Sequence, residues 1–257
     1  MEVLNYIKIK NKLKINIMKK IILSTIVLVL INFQSYSQWF GNGVKGSGNL
    51  ISETRNVGDY DKIIVTGSFN VSLVHGTEGK LKIKIEDNLL EYLVTEVRGN
   101  SLKIKWKNKV NINTRKGIHI VVPFTSLDKV VLTGSGEIIS ADTMDSNNFE
   151  VFLSGSGNIA LQVASKSTEV KVTGSGTVKL LGKSDELYVL LTGSGNFNSY
   201  PLKVTDAKAM LTGSGDIELS VSNRLTAKVT GSGGITYRGN PKYQNFKILG
   251  SGDIESN

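Results

Sequence analysis

The triplet Gly-Ser-Gly recurs seven times in the C-terminal half of this chain and constrains the fold more than any other feature. Its first glycine stands at residues 134, 155, 174, 193, 213, 231 and 250, which gives spacings of 21, 19, 19, 20, 18 and 19 residues. A repeat this regular indicates one structural unit per copy, each contacting only its neighbours. A further copy, Gly46-Ser47-Gly48, precedes the regular series.

The residues around each triplet alternate between apolar and polar positions. When the copies are aligned on the first glycine, the positions four before, two before and four after it are apolar throughout. Alternation of this kind places apolar side chains on one face of an extended chain. Each repeat therefore predicts a strand, a glycine turn and a second strand. The three columns are Val130, Val151, Val170, Val189, Ala209, Ala227 and Phe246; Leu132, Leu153, Val172, Leu191, Leu211, Val229 and Ile248; and Ile138, Ile159, Val178, Phe197, Ile217, Ile235 and Ile254.

A unit of about 19 residues suits one coil of a parallel β-helix, whose strands pair with the coils above and below at about 4.8 Å. The sequence predicts an all-β, right-handed parallel β-helix, the hand following the general preference of parallel crossover connections. Equivalent serines, from Ser135 to Ser251, should form a hydroxyl ladder. Both glycines of each triplet are predicted to be turn residues with φ > 0, where a side chain would cost about 1–2 kcal/mol. These glycines are Gly134, Gly136, Gly155, Gly157, Gly174, Gly176, Gly193, Gly195, Gly213, Gly215, Gly231, Gly233, Gly250 and Gly252.

Residues 38–129 keep the strand pattern less regularly, and we interpret them as irregular N-terminal coils that precede the regular repeats of residues 130–257. The segment from Asp87 to Thr95 has helical spacing of its leucines, and Asp87 or Asn88 could cap a helix there. Such a helix could cover the open end of the stack, where strand edges are otherwise unpaired. The alternative is a separate small β-sandwich domain over residues 50–125.

The N-terminus has the features of a signal peptide. Met18-Lys19-Lys20 begins a cationic segment, residues 21–31 are uninterruptedly apolar, and Ser35 and Ser37 place small residues where a signal peptidase requires them. The sequence predicts a signal peptide over residues 1–37, with Met18 as an alternative start. Eleven apolar residues are too few to span a bilayer as a helix, so no transmembrane anchor is expected after cleavage.

The composition argues against several classes of function. The formal net charge is +9, but six lysines precede residue 38, so the rest of the chain is only mildly basic and nucleic-acid binding is not expected. The chain has no cysteine and two histidines, His75 and His119, which offers little material for a thiolate metal site, a cysteine nucleophile or a catalytic triad. No cofactor and no metal site are expected.

Several segments resemble a known family. These are Arg55-Asn56-Val57 followed by Tyr60-Asp61-Lys62-Ile63, the Asp87-Asn88 segment, and above all the serial Gly-Ser-Gly-[Asn/Asp]-[Ile/Phe] units. Together they resemble the auto-transporter adhesin head domain, or GIN domain, family of secreted bacterial proteins, over roughly residues 45–255. The resemblance implies a β-helix on the cell envelope with an adhesive role and no catalytic residues to carry over.

The main alternative is a carbohydrate-active enzyme, a polysaccharide lyase or hydrolase, because parallel β-helices often carry such enzymes on a lateral groove. Catalysis there needs clustered carboxylates, or acids and bases around a bound metal. Asp216 and Asp253 follow their triplets directly and would lie two coils apart, about 10 Å, with Gly234 between them. The residue after the triplet is otherwise too variable for a shared calcium ladder, and no lysine follows the triplet as a phosphate loop requires.

One outward-facing column is unexpectedly apolar. Three residues before the first glycine the copies carry Val131, Phe152, Leu190 and Met210, interrupted by lysines in the other three copies. We call these four residues the apolar stripe. An exposed stripe of this kind is typical of a partner surface, and packing beneath the chain's own N-terminal half is the alternative.

The sequence thus predicts an exported adhesion, binding or scaffold module. It would lie in the periplasm, lie on the outer surface or be secreted. Its partner would be an envelope or extracellular protein, a glycan or a second copy of itself.

The predicted processing site can be tested directly. Because Ser35 and Ser37 fit the peptidase, mature protein isolated from the envelope should begin at Gln38. N-terminal mass spectrometry of that protein measures this, and retention of residues 1–20 would refute it.

Overall fold

The computed structural model describes residues 43–257, so the predicted signal peptide lies outside the described part of the chain. This part contains one short 3-10 helix, Asp87–Tyr92, and eighteen strands. The strands are β1 Val44–Lys45, β2 Leu50–Asn56, β3 Lys62–Thr66, β4 Asn70–His75, β5 Lys80–Glu86, β6 Leu93–Arg98, β7 Ser101–Trp106, β8 Ile112–Asn113, β9 His119–Phe124, β10 Lys129–Gly134, β11 Glu137–Gly155, β12 Asn158–Gly174, β13 Thr177–Gly193, β14 Asn196–Gly213, β15 Asp216–Gly231, β16 Gly234–Arg238, β17 Tyr243–Gly250 and β18 Asp253–Ser256.

The predicted parallel β-helix is confirmed. The chain forms a parallel β-solenoid of about seven turns with coils of about 19 residues. Strands β11 to β15 each run almost the whole way around one coil, from one triplet to the next, and pair in parallel with the strands above and below. The register places the first glycine of every triplet directly above that of the preceding coil, from Gly134 to Gly250.

The triplet turns are held together by backbone hydrogen bonds between coils. The carbonyl oxygen of Gly134 accepts from the amides of both Ser156 and Gly157, at 3.1 and 3.0 Å, and the carbonyl of Gly155 accepts from Ser175 and Gly176 in the same way. The carbonyls of Gly193, Gly213 and Gly231 also accept from two successive amides of the next coil, whereas that of Gly174 accepts from the amide of Ser194 alone.

The two glycines of a triplet differ in backbone conformation, which corrects the expectation that both have positive φ. Only the first glycine does, with φ between 113° and 133° across the seven copies. At the first glycine a Cβ would also lie 2.2–2.5 Å from a carbonyl oxygen of the coil below. The second glycine is required because a Cβ there would lie 2.0–2.6 Å from a backbone carbonyl oxygen of the coil below. No real Cβ tolerates so short a distance, so this constraint is steric contact between coils rather than backbone conformation.

The serines do form a column, but not a hydrogen-bonded one. All seven, from Ser135 to Ser251, are exposed. Within residues 43–257 no hydroxyl of these serines bonds to the next, and the contact between their coils is made by the serine amides instead. The hydroxyl ladder is therefore a surface feature and does not hold the stack together.

The core consists of the three apolar columns that the alternation indicates. In the first six copies every member is at most 2% exposed. In the last copy Phe246 is 38% and Ile248 is 45% exposed, because no further coil of the described chain lies above β17. The same side chains are thus core residues wherever a coil covers them from both sides.

The N-terminal segments continue the same sheet, but their order in space differs from their order in the chain. Strand β3 lies beneath β10, with Thr66 below Thr133, and β4 lies beneath the start of β11. Strands β7 and β9, which come later in sequence, lie below β3 and β4. Gly67 therefore occupies the place below Gly134, and its carbonyl would contact a Cβ at Gly134 at 2.5 Å.

The N-terminal end of the stack is closed by antiparallel strands. Strand β6 pairs with β7, β5 with β9, and β2 with β5. The predicted helix over residues 87–95 is wrong in extent, because it is a 3-10 helix that ends at Tyr92, lacks a side-chain cap and continues directly into β6. The guanidinium of Arg55 donates to the carbonyls of Leu90 and Leu93 and ties this segment to β2.

The early triplet at residues 46–48 is not part of the stack and instead surrounds a buried carboxylate. Glu86 is fully buried and accepts hydrogen bonds from the amides of Gly48 and Arg115, at 2.8 and 2.9 Å, and from the hydroxyl of Thr114 at 2.6 Å. Burial alone would raise the pKa of Glu86, but these hydrogen bonds outweigh it and hold the pKa below its usual value. The ionised carboxylate thus joins three chain segments.

The steric role of the triplets predicts a clear effect of substitution. Gly193→Val or Gly195→Val should destabilise the protein by about 2–4 kcal/mol, because a side chain would press on the carbonyl of Gly174 or Gly176 in the coil below. Thermal unfolding followed by circular dichroism measures the loss. Gly58→Val is the matched control, since a Cβ at Gly58 meets nothing within 4 Å. Equal melting temperatures for all three variants would contradict the packing described above.

The Glu86 site predicts a pH dependence. Because the folded-state pKa lies below the unfolded value, the carboxylate stabilises the fold above the unfolded pKa of about 4.3 and ceases to do so as pH falls through the folded pKa. Glu86→Gln should therefore cost about 1–3 kcal/mol at pH 7 and much less near pH 3. Urea unfolding at both pH values measures this, with Glu91→Gln on the exposed side of the 3-10 helix as control. A cost that is the same at both pH values would refute the assignment.

Candidate functional site

The four residues of the apolar stripe lie in one column of stacked positions on the solenoid face that precedes the triplet turns. Cross-strand register stacks Val131 on Phe152, Phe152 on Lys171, Lys171 on Leu190 and Leu190 on Met210. All four apolar residues are half-buried. The structure therefore brings the predicted residues together as two pairs of neighbours, with Lys171 between the pairs.

The structure adds one residue to the stripe. Ile64 pairs with Val131 from the coil below and is half-buried like the other members. It stands three residues before Gly67, which is the same offset that defines the rest of the column. The shared offset could have identified Ile64 from the sequence. An alignment on Gly-Ser-Gly leaves it out, because Gly67 begins Gly-Ser-Phe.

The N-terminal half does not cover this face. Strands β3 and β7 lie below β10 as further coils of the same sheet, so they extend the face instead of packing on it. Within residues 43–257, the alternative of internal packing beneath the N-terminal half is therefore wrong.

Charged side chains border the lower part of the stripe. Lys129 Nζ lies 2.6 Å from Glu150 Oε2, and Lys171 Nζ lies 2.6 Å from Glu169 Oε1. The hydrogen bond to Glu169 raises the pKa of Lys171 and keeps it charged. These four residues surround Val131 and Phe152 in a shallow hollow of about 380 Å³. The hollow has an apolar floor and a rim of paired charges.

The upper part of the stripe is bordered by an aromatic residue. The Tyr188 hydroxyl donates to Met210 Sδ at 3.6 Å, and the Lys208 ammonium lies 5.5 Å from the centre of the Tyr188 ring. A column of hydroxyl residues, which runs from Thr133 to Thr230, lies on the other side of the stripe. The stripe is therefore a narrow apolar band between polar columns.

The carboxylate pair of the enzymatic alternative is brought together more closely than coil spacing alone suggests. Asp216, Gly234 and Asp253 stack in register. The carboxylates of Asp216 and Asp253 both approach the outer side of Gly234. A Cβ at Gly234 would lie 3.1 Å from Asp253 Oδ1 and 3.5 Å from Asp216 Oδ1. Among residues 43–257 no group of three or more acidic or histidine residues is placed to hold a metal ion.

The two histidines lie apart from the stripe. Both are exposed, His75 at the end of β4 and His119 at the start of β9. The ring of His75 packs edge-on against Phe124, with 5.8 Å between the ring centres.

The described part of the chain contains no helix that is long and apolar enough to cross a membrane.

Comparison with known proteins gives a family and a set of structural relatives. The family model described as "Putative auto-transporter adhesin, head GIN domain" matches residues 59–241. A putative adhesin from Bacteroides fragilis has a similar structure, with a TM-score of 0.78 and 24% identity over 84% of this chain and 100% of its own. No curated protein matches the sequence.

Two structures from Parabacteroides are also similar. A putative lipid binding protein from Parabacteroides distasonis is 29% identical with a TM-score of 0.72, and a putative adhesin from Parabacteroides merdae is 19% identical with a TM-score of 0.69. Each alignment covers 84% of this chain and all of the other. The likeness to the two adhesins, each under 25% identical, concerns the fold.

Proposed function

We propose that this chain, which belongs to the family described as "Putative auto-transporter adhesin, head GIN domain", is an exported adhesive module that binds a protein partner through the apolar stripe. The family match spans most of the solenoid and supports binding as the role. Export to the cell envelope is proposed from the leader sequence, with its cationic segment, short apolar run and small residues at positions 35 and 37.

The observation that carries the proposal is the anatomy of the stripe. Protein interfaces typically have an apolar centre containing aromatic anchors and a polar, charged rim. Phe152 forms part of the floor of the hollow bordered by the pairs Lys129–Glu150 and Lys171–Glu169, so the hollow has the same apolar centre and charged rim. Five coils carry a half-buried apolar residue in this column, and an apolar band with a polar border is typical of a surface that contacts another protein.

A lipid ligand fits the stripe less well, although one structural relative is described as a lipid binding protein. Acyl chains need a continuous apolar slot, whereas the stripe is one side chain wide and is interrupted by Lys171.

A carbohydrate-active enzyme is the second candidate, and the convergence of Asp216 and Asp253 over Gly234 is the observation that favours it. Both carboxylates are on the exposed surface, and the described residues bring no third acidic group or histidine to them. We therefore propose no catalytic role for the pair. Release of reducing sugars from mixed glycans, abolished by Asp216→Asn together with Asp253→Asn, would establish the enzyme instead.

The binding role predicts the effect of placing charge on the stripe. Phe152→Lys together with Met210→Lys should leave folding largely intact, because both side chains are only half-buried, while weakening association by about 2 kcal/mol, roughly 30-fold. Circular dichroism measures folding, light scattering measures self-association, and attachment of cells displaying the protein measures adhesion.

The matched control places the same charges on the same coils at another position. Ser156→Lys together with Ser214→Lys changes two exposed serines of the triplet turns and should leave attachment unchanged. Loss of light scattering alone would identify a second copy of the chain as the partner. If the stripe variant folds, associates and attaches like the wild type, the stripe is not the binding surface.

A further inference from the structure

A second surface feature lies on a different part of the coil from the stripe. It is an open groove of about 570 Å³ across strands β13 to β16, within the size range of small-ligand sites. Its floor contains Val204 and Val221, and three basic residues line it: Lys183, Lys203 and Arg238. Along β13 the groove residue Lys183 lies before Asp185 and the stripe residue Leu190 lies after it, and the β12–β13 ladder passes from Ser184 to Glu186 without pairing Asp185.

The three basic residues lie in one cross-strand column. Lys183 pairs with Lys203 on the next coil, Lys203 pairs with Ser220, and Ser220 pairs with Arg238. At the strand spacing of a sheet the column spans about 14 Å along the solenoid axis. Lys183 and Lys203 are directly opposite each other on neighbouring strands, a placement of like charges that is destabilising.

These basic residues are also without acidic partners. Within residues 43–257 no carboxylate forms a salt bridge with Lys183, Lys203 or Arg238, whereas Lys129 and Lys171 beside the stripe are both paired. Asp185 is the single acidic residue among those lining the groove. A cleft lined mainly by one sign of charge concentrates ligands of the opposite sign.

Arg238 is held in place before any ligand arrives. Its guanidinium carbon lies 4.0 Å from the centre of the Tyr200 ring, and the Tyr200 hydroxyl accepts from the Asn257 amide at 3.2 Å. Tyr200 projects from a bulge of β14, where the register with β15 passes from Ser199 directly to Lys203. The Ser220 hydroxyl donates to the Tyr200 carbonyl at 2.7 Å and fixes this bulge. A stacked guanidinium is well suited to bidentate recognition of planar carboxylates.

We propose that this groove binds an acidic oligosaccharide that lies along the solenoid axis with its carboxylates on Lys183, Lys203 and Arg238. A linear arrangement of charge suits an extended chain with acidic groups at intervals. A lipid headgroup would concentrate its charge at one point, whereas the three basic residues are spread over about 14 Å along the solenoid axis. A single-stranded nucleic acid would need free aromatic faces for its bases, and Arg238 occupies a face of Tyr200.

The test is isothermal titration calorimetry of the full chain with tetragalacturonate. The fully methyl-esterified tetramer, which has the same sugar chain without the negative charges, is the control ligand. We expect the acid form to bind with an affinity that falls as salt rises, and the ester to bind at least about tenfold more weakly. Lys203→Gln together with Arg238→Gln should weaken binding by about tenfold or more. Arg238→Lys should give an intermediate loss of affinity, because lysine keeps the positive charge but cannot make the two parallel hydrogen bonds of a planar guanidinium.

The control variant is Lys228→Gln together with Lys247→Gln, which removes the same charge from the column of the stripe. It should bind the tetramer like the wild type. The proposal is overturned if the wild type does not bind, if acid and ester bind equally, or if the control loses as much affinity as the groove variant. Tighter binding of an oligodeoxynucleotide or of anionic phospholipid vesicles, lost in the same groove variant, would also overturn it by assigning the groove to another ligand.

This inference goes beyond the proposed function and fails separately from it. The groove variant leaves Phe152 and Met210 in place, so attachment through the stripe should persist. The stripe variant leaves Lys203 and Arg238 in place, so titration with the tetramer should be unchanged.

Discussion

The contact on which the rest of this structure depends is the one between the first glycine carbonyl of a triplet and two successive amides of the next coil. It satisfies two backbone donors with one acceptor at a point where the chain turns sharply. It also requires the second glycine, because a Cβ at Gly157 would lie 2.6 Å from the carbonyl of Gly136. Together with the parallel ladders, this contact keeps the coils from β10 to β18 in register.

In-register stacking converts positions within a repeat into columns on the surface. A column whose members share a chemistry becomes a band along the solenoid, so one face carries the apolar stripe beside its threonines and another carries stacked basic residues. Substitution at one coil changes one step of a band and leaves the core columns intact. The fold thus allows the proposed stripe and groove surfaces to lie on one stack without sharing residues.

The two ends of the stack are built differently. At the N-terminal end, antiparallel strands, the 3-10 helix and the buried carboxylate of Glu86 close the sheet, and Arg55 donates to the carbonyls of Leu90 and Leu93. At the other end the described chain leaves Phe246 and Ile248 partly exposed, although the same columns are fully buried below. Burial in this fold is a property of having a neighbour on both sides, not of the residue type alone.

The sequence by itself determined the coil, its length, its turn glycines and which columns are buried, because each is set by local alternation and a fixed repeat. It also determined four of the five stripe residues, which share one offset from the triplet.

Only the tertiary structure decided the order of the N-terminal strands in space and the column of basic residues. Strands β7 and β9 lie below β3 and β4 although they follow them in the chain, and pairing between distant segments leaves no local pattern. Lys183, Lys203 and Arg238 stand at different offsets from their triplets, nine, ten and seven residues, and the bulge at Tyr200 brings them into one column. An alignment on the glycines cannot show that column, because it exists only once the strands have paired.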